Sequence, residues 1–333
     1  MKTKNLFLFA LILAHFSCTG QTKKINGLSF VASRDSIDVT HIAPVLKAQS
    51  NYVALMPFGF IKKLASPQII HNTKRQWFGE TENGLLQYAK EFQKNSIKIM
   101  VKPQIWVWNG EFTGLIEMDS EENWLMLEES YSAFILTYAK AAQNLKADMF
   151  CIGTELEKFV QNRPQYWLGL IKEIRKVYFG KLTYAANWDE FKRIPFWGEI
   201  DFIGIDAYFP LSDQKAPTIQ EFEMGWKPHK KEIMKIQKQF NKPVLFTEFG
   251  YRSVDFNGKK PWDSNRVEGN INLQAQANGL QAIHNQFWNE EWFAGGFIWK
   301  WFHRHDKVGG QNNNRFTPQN KPAEVLLQQL YRQ

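Results

Sequence analysis

Apolar residues along this chain come in two rhythms. From residue 25 onward, short unbroken apolar runs alternate with stretches in which apolar positions recur every three or four residues. The first rhythm marks strands buried on both faces, and the second marks helices with one covered side. Eight runs qualify as strands: LSFVAS at 28–33, NYVALMPF at 51–58, SIKIMVKPQI at 96–105, DMFCIGTE at 148–155, KLTYAAN at 181–187, DFIGIDAYF at 201–209, PVLFTEF at 243–249 and GGFIWKW at 295–301. Between them, residues 83–94 place Leu85, Leu86, Ala89 and Phe92 on one helical face, and residues 121–145 carry Leu125, Ser132, Ile135, Leu136, Ala139 and Ala142 at similar spacing. Pro164 and Pro228 suit the first turns of helices ending near Tyr178 and Gln239, and Lys321-Pro322 opens a last one ending near Tyr331. The fifth helix is short at best. Eight strand–helix alternations with no second sheet predict an α/β fold, a single (β/α)8 TIM barrel, with a doubly wound open sheet as the alternative. No Gly-rich phosphate loop follows the first strand, which removes dinucleotide binding.

The first 18 residues follow neither rhythm. Lys2 and Lys4 precede an apolar stretch from Leu6 to Ala14, then Ser17 and Cys18. That stretch is about half of what a bilayer crossing needs, so it reads as a signal peptide and not a span. A small residue followed by cysteine resembles a bacterial lipoprotein cleavage site, which implies lipidation of Cys18; plain secretion is the alternative. The expected organisation is a signal peptide at 1–18, a polar tether at 19–26 and one domain at 27–333. The chain would then be exported, periplasmic or at the outer membrane or cell surface, touching the membrane through its lipid anchor only.

Composition narrows the chemistry. A chain of 333 residues with 44% hydrophobic content has ample material for a core, and no linker, repeat or low-complexity tract divides it. The two cysteines, Cys18 and Cys151, provide neither a disulfide framework nor a thiolate metal site. His303 and His305 stand two apart with no third ligand in view, so no metal is expected. The net charge is +8, or +6 without Lys2 and Lys4, and the lysines are scattered; a nucleic-acid partner is not expected. Oligomeric state is not legible.

The candidate chemistry sits where apolar runs end. The fourth and seventh runs both finish in Thr-Glu, at Thr154-Glu155 and Thr247-Glu248. Carboxylates at the C-terminal ends of two barrel strands face one mouth, where such folds keep their active sites. Burying them costs several kcal/mol unless a network or a use compensates, the bland alternative being a helix cap or a structural ion pair. Paired acids about 5 Å apart perform retaining glycoside hydrolysis, and a gap of about 6.5–9.5 Å leaves room for the water of an inverting reaction. Thirteen tryptophans are more than a core needs, and Trp106, Trp108, Trp188, Trp299 and Trp301 fall at strand ends, where flat faces can stack on sugar rings. Lys102 and Gln104 alternate with apolar neighbours and are positioned either to bond sugar hydroxyls or, for Lys102, to pair with a carboxylate. Asn187 ends the fifth strand. Asp206 ends the sixth, to hold a hydroxyl or to cap the following loop.

Several of these residues, Asn187 and the tryptophans at 188, 299 and 301 excepted, lie in longer stretches that together resemble glycoside hydrolase family 113, the β-mannanase-like barrels of a retaining clan. They are VKPQIWVWNGEFTG at 101–114, SYSAFILTYAKAA at 130–142, ADMFCIGTELE at 147–157, DFIGIDAYFPL at 201–211, FTEFGYRS at 246–253 and FTPQNKPAE at 316–324. The resemblance implies a catalytic barrel at 27–333, Glu155 as general acid/base, Glu248 as nucleophile and Tyr208 as the residue bonded to the nucleophile. It implies β-1,4-mannan or manno-oligosaccharide as substrate, and no cofactor. Where the clan carries Asn before the acid/base, this chain has Thr154, which leaves Asn187 or Thr154 itself for the substrate 2-hydroxyl. A β-glucanase, an exo-β-mannosidase and a non-catalytic glycan-binding surface lipoprotein are the alternatives.

Overall fold

The computed structural model describes residues 23–263 and 270–332; the expected signal peptide and Cys18 lie outside them. Eight parallel strands close into a barrel. They are β1 (Ile25–Phe30), β2 (Tyr52–Leu55), β4 (Lys98–Val101), β6 (Met149–Thr154), β7 (Lys181–Asn187), β8 (Phe202–Asp206), β9 (Val244–Phe249) and β10 (Phe293–Trp301), and β10 pairs back onto β1. The eight expected strands are therefore the eight barrel staves. β1 starts three residues earlier than LSFVAS, so Ile25 and Asn26, counted with the tether, belong to the barrel.

Two prolines alter the second and third strands. Pro57 and Pro103 have no N–H to give to a ladder, so each strand stops before its proline and resumes after it. The resumed pieces, β3 (Phe58–Ile61) and β5 (Gln104–Val107), pair with each other as a parallel ribbon above the barrel rim. Read as single strands, 51–58 and 96–105 each span such a break.

Helices sheathe the barrel: α1 (Val39–Lys47), α2 (Glu82–Lys94), α3 (Glu121–Asn144), α4 (Glu157–Asn162), α5 (Pro164–Val177), α6 (Ile219–Phe240), α7 (Leu273–Phe287) and α8 (Pro322–Leu330). Pro164 and Pro322 open α5 and α8 as expected. Pro228 does not open a helix. It lies inside α6, whose start is set by a capping box between Thr218 and Glu221. In α3 the buried face runs through Trp124, Leu127, Tyr131, Ile135 and Tyr138, and Leu125 points to solvent. Between β7 and β8 only 3₁₀ turns at Phe191–Arg193 and Trp197–Glu199 occur.

Two apolar layers result. A small interior one holds Ile25, Ala54, Met100, Met149, Cys151, Ala185, Leu245 and Phe297, and a large outer one fills the space between strands and helices. The seam between first and last strands is tied by α8 and the end of α7. Asn26 donates to the Tyr331 carbonyl at 3.1 Å, Tyr331 donates its hydroxyl to the Gly27 carbonyl at 3.1 Å, and the Trp288 indole donates to Asn26 Oδ1 at 2.9 Å.

Candidate active site

Strand alternation should send every second residue inward, and three local irregularities at the barrel mouth modify this. In β9, Leu245 faces the interior while Val244, Phe246 and Phe249 pack outside. The odd spacing of Phe246 and Phe249 is made possible by a register shift, and both Thr247 and Glu248 turn inward. β6 has a similar shift between Cys151 and Thr154, after which Glu155 adopts φ +50°. Left-handed backbone costs a non-glycine residue roughly 1–2 kcal/mol, and bulges of this kind concentrate beside active sites. The Glu155 amide is held to the Ala185 carbonyl at 2.8 Å, and Thr113 donates to the Glu155 carbonyl at 3.2 Å.

Glu248 is buried and fully bonded. Its Oε1 accepts from Lys102 and, at 3.0 Å, from Gln104; its Oε2 accepts from the Tyr208 hydroxyl at 2.9 Å. The Tyr208 contact is the one that the family resemblance implies. Lys102 also reaches both oxygens of Asp206 at 3.4 Å, and Thr247 donates to Asp206 Oδ1 at 2.7 Å. Lys102 and Asp206 are almost completely buried, so neither presents an open surface to the cleft. Of the sequence alternatives, Lys102 takes the ion pair, and Asp206 is its second anion and not a loop cap. Burial works against the Lys102 ammonium, but Asp206 and Glu248 outweigh it and hold it above its ordinary value. Burial, then the charge of Glu248, pushes Asp206 up to about 7 against the pull of Lys102.

Glu155 has the opposite surroundings. Among the described residues its carboxyl makes no hydrogen bond, and burial followed by the charges of Asp206 and Glu248 holds it well above the usual carboxylate range. Its backbone is steadied by a chain that the sequence did not disclose: the Leu156 amide donates to the Tyr184 hydroxyl at 2.7 Å, and Tyr184 donates to the buried Glu190 at 2.7 Å. Glu190 also accepts the Asn187 amide at 2.9 Å, and burial raises it to about 8.

The remaining candidates divide. Gln104 and Trp106 share one face of β5, beginning at the carboxylate of Glu248, and Trp108 follows the strand's end; Trp106 and Trp108 keep 50% and 58% of their surface open. Trp188 stacks on Trp262 with centroids 5.2 Å apart. Asn187 lies in register with Asp206, and Asp206 with Glu248. The Thr154 hydroxyl is buried beside Cys151 without an oxygen or nitrogen partner among the described residues. Trp299 is half-buried at the end of β10, where a cis peptide joins it to Lys300. Trp301 is a correction. A register shift after Ile298 sends it to the outer layer, where its ring is fully buried and offers no platform in the cleft. His303 and His305 go to different acids, Asp35 and Glu324.

The comparisons agree with this architecture. The β-mannanase of Alicyclobacillus acidocaldarius in complex with ManMIm superposes with a TM-score of 0.81 at 24% identity, over 93% of this chain and 97% of that one. A second β-1,4-mannanase gives 0.81 at 22% identity, over 93% and 99%. The β-glucuronidase of Ruminococcus gnavus shares the fold at a TM-score of 0.60 and 13% identity, over 89% of this chain and 46% of its own. Among curated proteins, none matches in sequence. The model of glycoside hydrolase family 113 matches residues 34–321, a span that runs from the first loop of the barrel to the start of its last helix and includes both glutamates; the chain belongs to that family.

Proposed function

We propose that this glycoside hydrolase cleaves β-1,4-mannosidic bonds in mannan or manno-oligosaccharides with retention, Glu155 being the general acid/base and Glu248 the nucleophile. The observation that carries the assignment is the contrast between the two carboxyl groups. Three donors fix Glu248 as an oriented anion, and Glu155 sits undonated beside negative charge, which keeps its proton on. Glu248 attacks the anomeric carbon while Glu155 gives its proton to the departing glycosidic oxygen, forming a glycosyl ester. Glu155, now ionised, takes a proton from water as that water attacks the same carbon and frees Glu248. The mannan preference is supported by family membership and by the two mannanase structures, with the aromatic ribbon as platform.

Azide tests the roles. With an activated aryl mannoside, Glu155→Ala still forms the glycosyl ester, so azide should speed turnover and give the β-azide. Glu248→Ala lacks the nucleophile, and azide should give the α-azide. Activity on natural substrate should fall by at least about two orders of magnitude in both. The same anomer from both, or little loss, would reject the assignment. Products from manno-oligosaccharides in the wild type also separate an enzyme from a glycan-binding protein.

We further propose that Cys18 anchors the chain by lipid. Wild type should partition into detergent and Cys18→Ser should not; equal aqueous partitioning of the two would reject the anchor without touching the enzyme.

A further inference from the structure

Two cations at the barrel mouth, Lys300 and Arg315, make no ion pair among the described residues. Lys300 lies between Ile298 and Trp301, both of which pack in the outer layer, and the register shift there leaves Trp299 and Lys300 half-buried at the cleft. The Lys300 ammonium rests over the rings of Trp299 and Phe302, at 5.0 and 5.4 Å from their centroids, and makes no ion pair among the described residues. Burial lowers its affinity for a proton; Glu248 is near enough to oppose this, and Arg315 adds to it. Glu248 makes no ion pair with this lysine; its oxygens accept from Lys102, Gln104 and Tyr208.

Arg315 comes from the loop after β10, and that loop is firmly placed. The Arg315 amide donates to Asn313 Oδ1 at 2.9 Å, its carbonyl accepts the buried Lys321 ammonium at 2.7 Å, and the next carbonyl, of Phe316, accepts from the buried Gln276 at 2.8 Å. The Phe316 ring meets the edge of Tyr208 at 6.1 Å, which sets the loop against the nucleophile's own partner. The backbone is thus pinned on both sides, and the guanidinium makes no ion pair or hydrogen bond among the described residues. Arg252 donates to the Asn314 carbonyl at 3.3 Å and has Asp263 near it as counter-charge, so it adds a further hold on the loop. Like charges gathered in a partly dry cleft are costly unless a ligand supplies the counter-charge.

We infer that the cleft is built for an acidic glycan, with Lys300 and Arg315 receiving the carboxylate of a uronic acid at or next to the sugar that Glu248 attacks. This rests on the glycosidase reading above and refines its substrate class to a β-linked, manno-configured chain bearing uronate. Arg offers the planar fork that matches a carboxylate, and Lys a point charge beside it.

The test compares kcat/KM of the full chain on β-1,4-linked oligomannuronates and on neutral manno-oligosaccharides of equal length. Wild type should favour the acidic series by about tenfold or more at low salt, and the preference should shrink as salt screens the pair. Lys300→Met and Arg315→Gln should each lower the acidic-to-neutral ratio by about tenfold. Cleavage of the neutral series with no preference for the acidic one overturns the inference and leaves the mannanase reading standing. Cleavage of neither series overturns both. A ratio unmoved by both substitutions also overturns the inference. If either variant fails to fold, the wild-type ratio and its salt dependence decide alone.

Discussion

The ammonium of Lys102 contacts Oε1 of Glu248 in a place from which water is excluded, and the same ammonium faces Asp206. One cation thus stands between two carboxylates on neighbouring strands, at the level where the barrel interior opens to the cleft. Removing one member of such a group leaves buried charge without compensation, which typically costs about 3–5 kcal/mol.

Lys102→Met should therefore lower unfolding free energy by an amount of that order and reduce kcat/KM by about two orders of magnitude or more. The two carboxylates, left to share a proton, should move the acidic limb of the pH profile to higher pH. Adding Asp206→Asn should restore part of the stability, because the charge left without a partner is removed as well. Urea melts and pH profiles of kcat/KM check both statements. A Lys102→Met enzyme with an unmoved acidic limb would show that the ammonium is structural only.

Asp206 and Glu248 both help to keep the proton on Glu155. Asp206→Asn deletes one of these charges, so Glu155 should ionise at lower pH. The sign follows: loss of the acid form begins earlier as pH rises, and the alkaline limb of kcat/KM should move down by about one pH unit. An alkaline limb that stays in place would assign it to another group.

Tyr184→Phe removes the oxygen that accepts the Leu156 amide. A buried N–H without a partner costs about 1–3 kcal/mol, and here it adjoins the left-handed Glu155. The expected result is a lower Tm together with a fall in kcat larger than any rise in KM, since the acid/base is displaced more than the sugar-binding surface. Equal effects on kcat and KM would count against a positioning role.

Trp106 presents an open face two residues beyond Gln104 on the ribbon. Trp106→Ala should raise KM for long manno-oligosaccharides by about tenfold while changing turnover of a short aryl mannoside little, the loss being about 1–1.5 kcal/mol of ring contact. Similar losses on both substrates would place the ring next to the reacting sugar.

Much of this arrangement is visible in the sequence for a physical reason. A strand covered on both faces must be apolar throughout, so the eight staves stand out as uninterrupted runs, and a carboxylate at the end of such a run is conspicuous. Alternation places Lys102 and Gln104 on the same side as Met100, and the cleft role of Gln104 follows. The departures come from features that a pattern of apolar residues does not encode. The register shifts in β6, β9 and β10 change which parity faces inward, so Trp301 passes for a cleft residue while Lys300 passes unnoticed. The Thr218–Glu221 capping box is legible and places the start of α6 at Ile219, whereas Pro228, tolerated inside the helix, draws the expected start well downstream of it. Glu190 and Tyr184 have no sequence signal, since their role depends on a hydrogen bond to a backbone amide.

The seam of the barrel has a temporal side. β1 is the first stave to be synthesised and β10 the last, and each needs the other as a neighbour. Until residues 293–301 have left the ribosome, β1 carries an unpaired edge of the kind that recruits foreign strands. The bonds from Asn26 and Gly27 to Tyr331 postpone locking further, until α8 has been made as well. A nascent chain of this protein therefore keeps an open sheet until β10 and α8 have emerged, and its need for a holding chaperone should fall at that point.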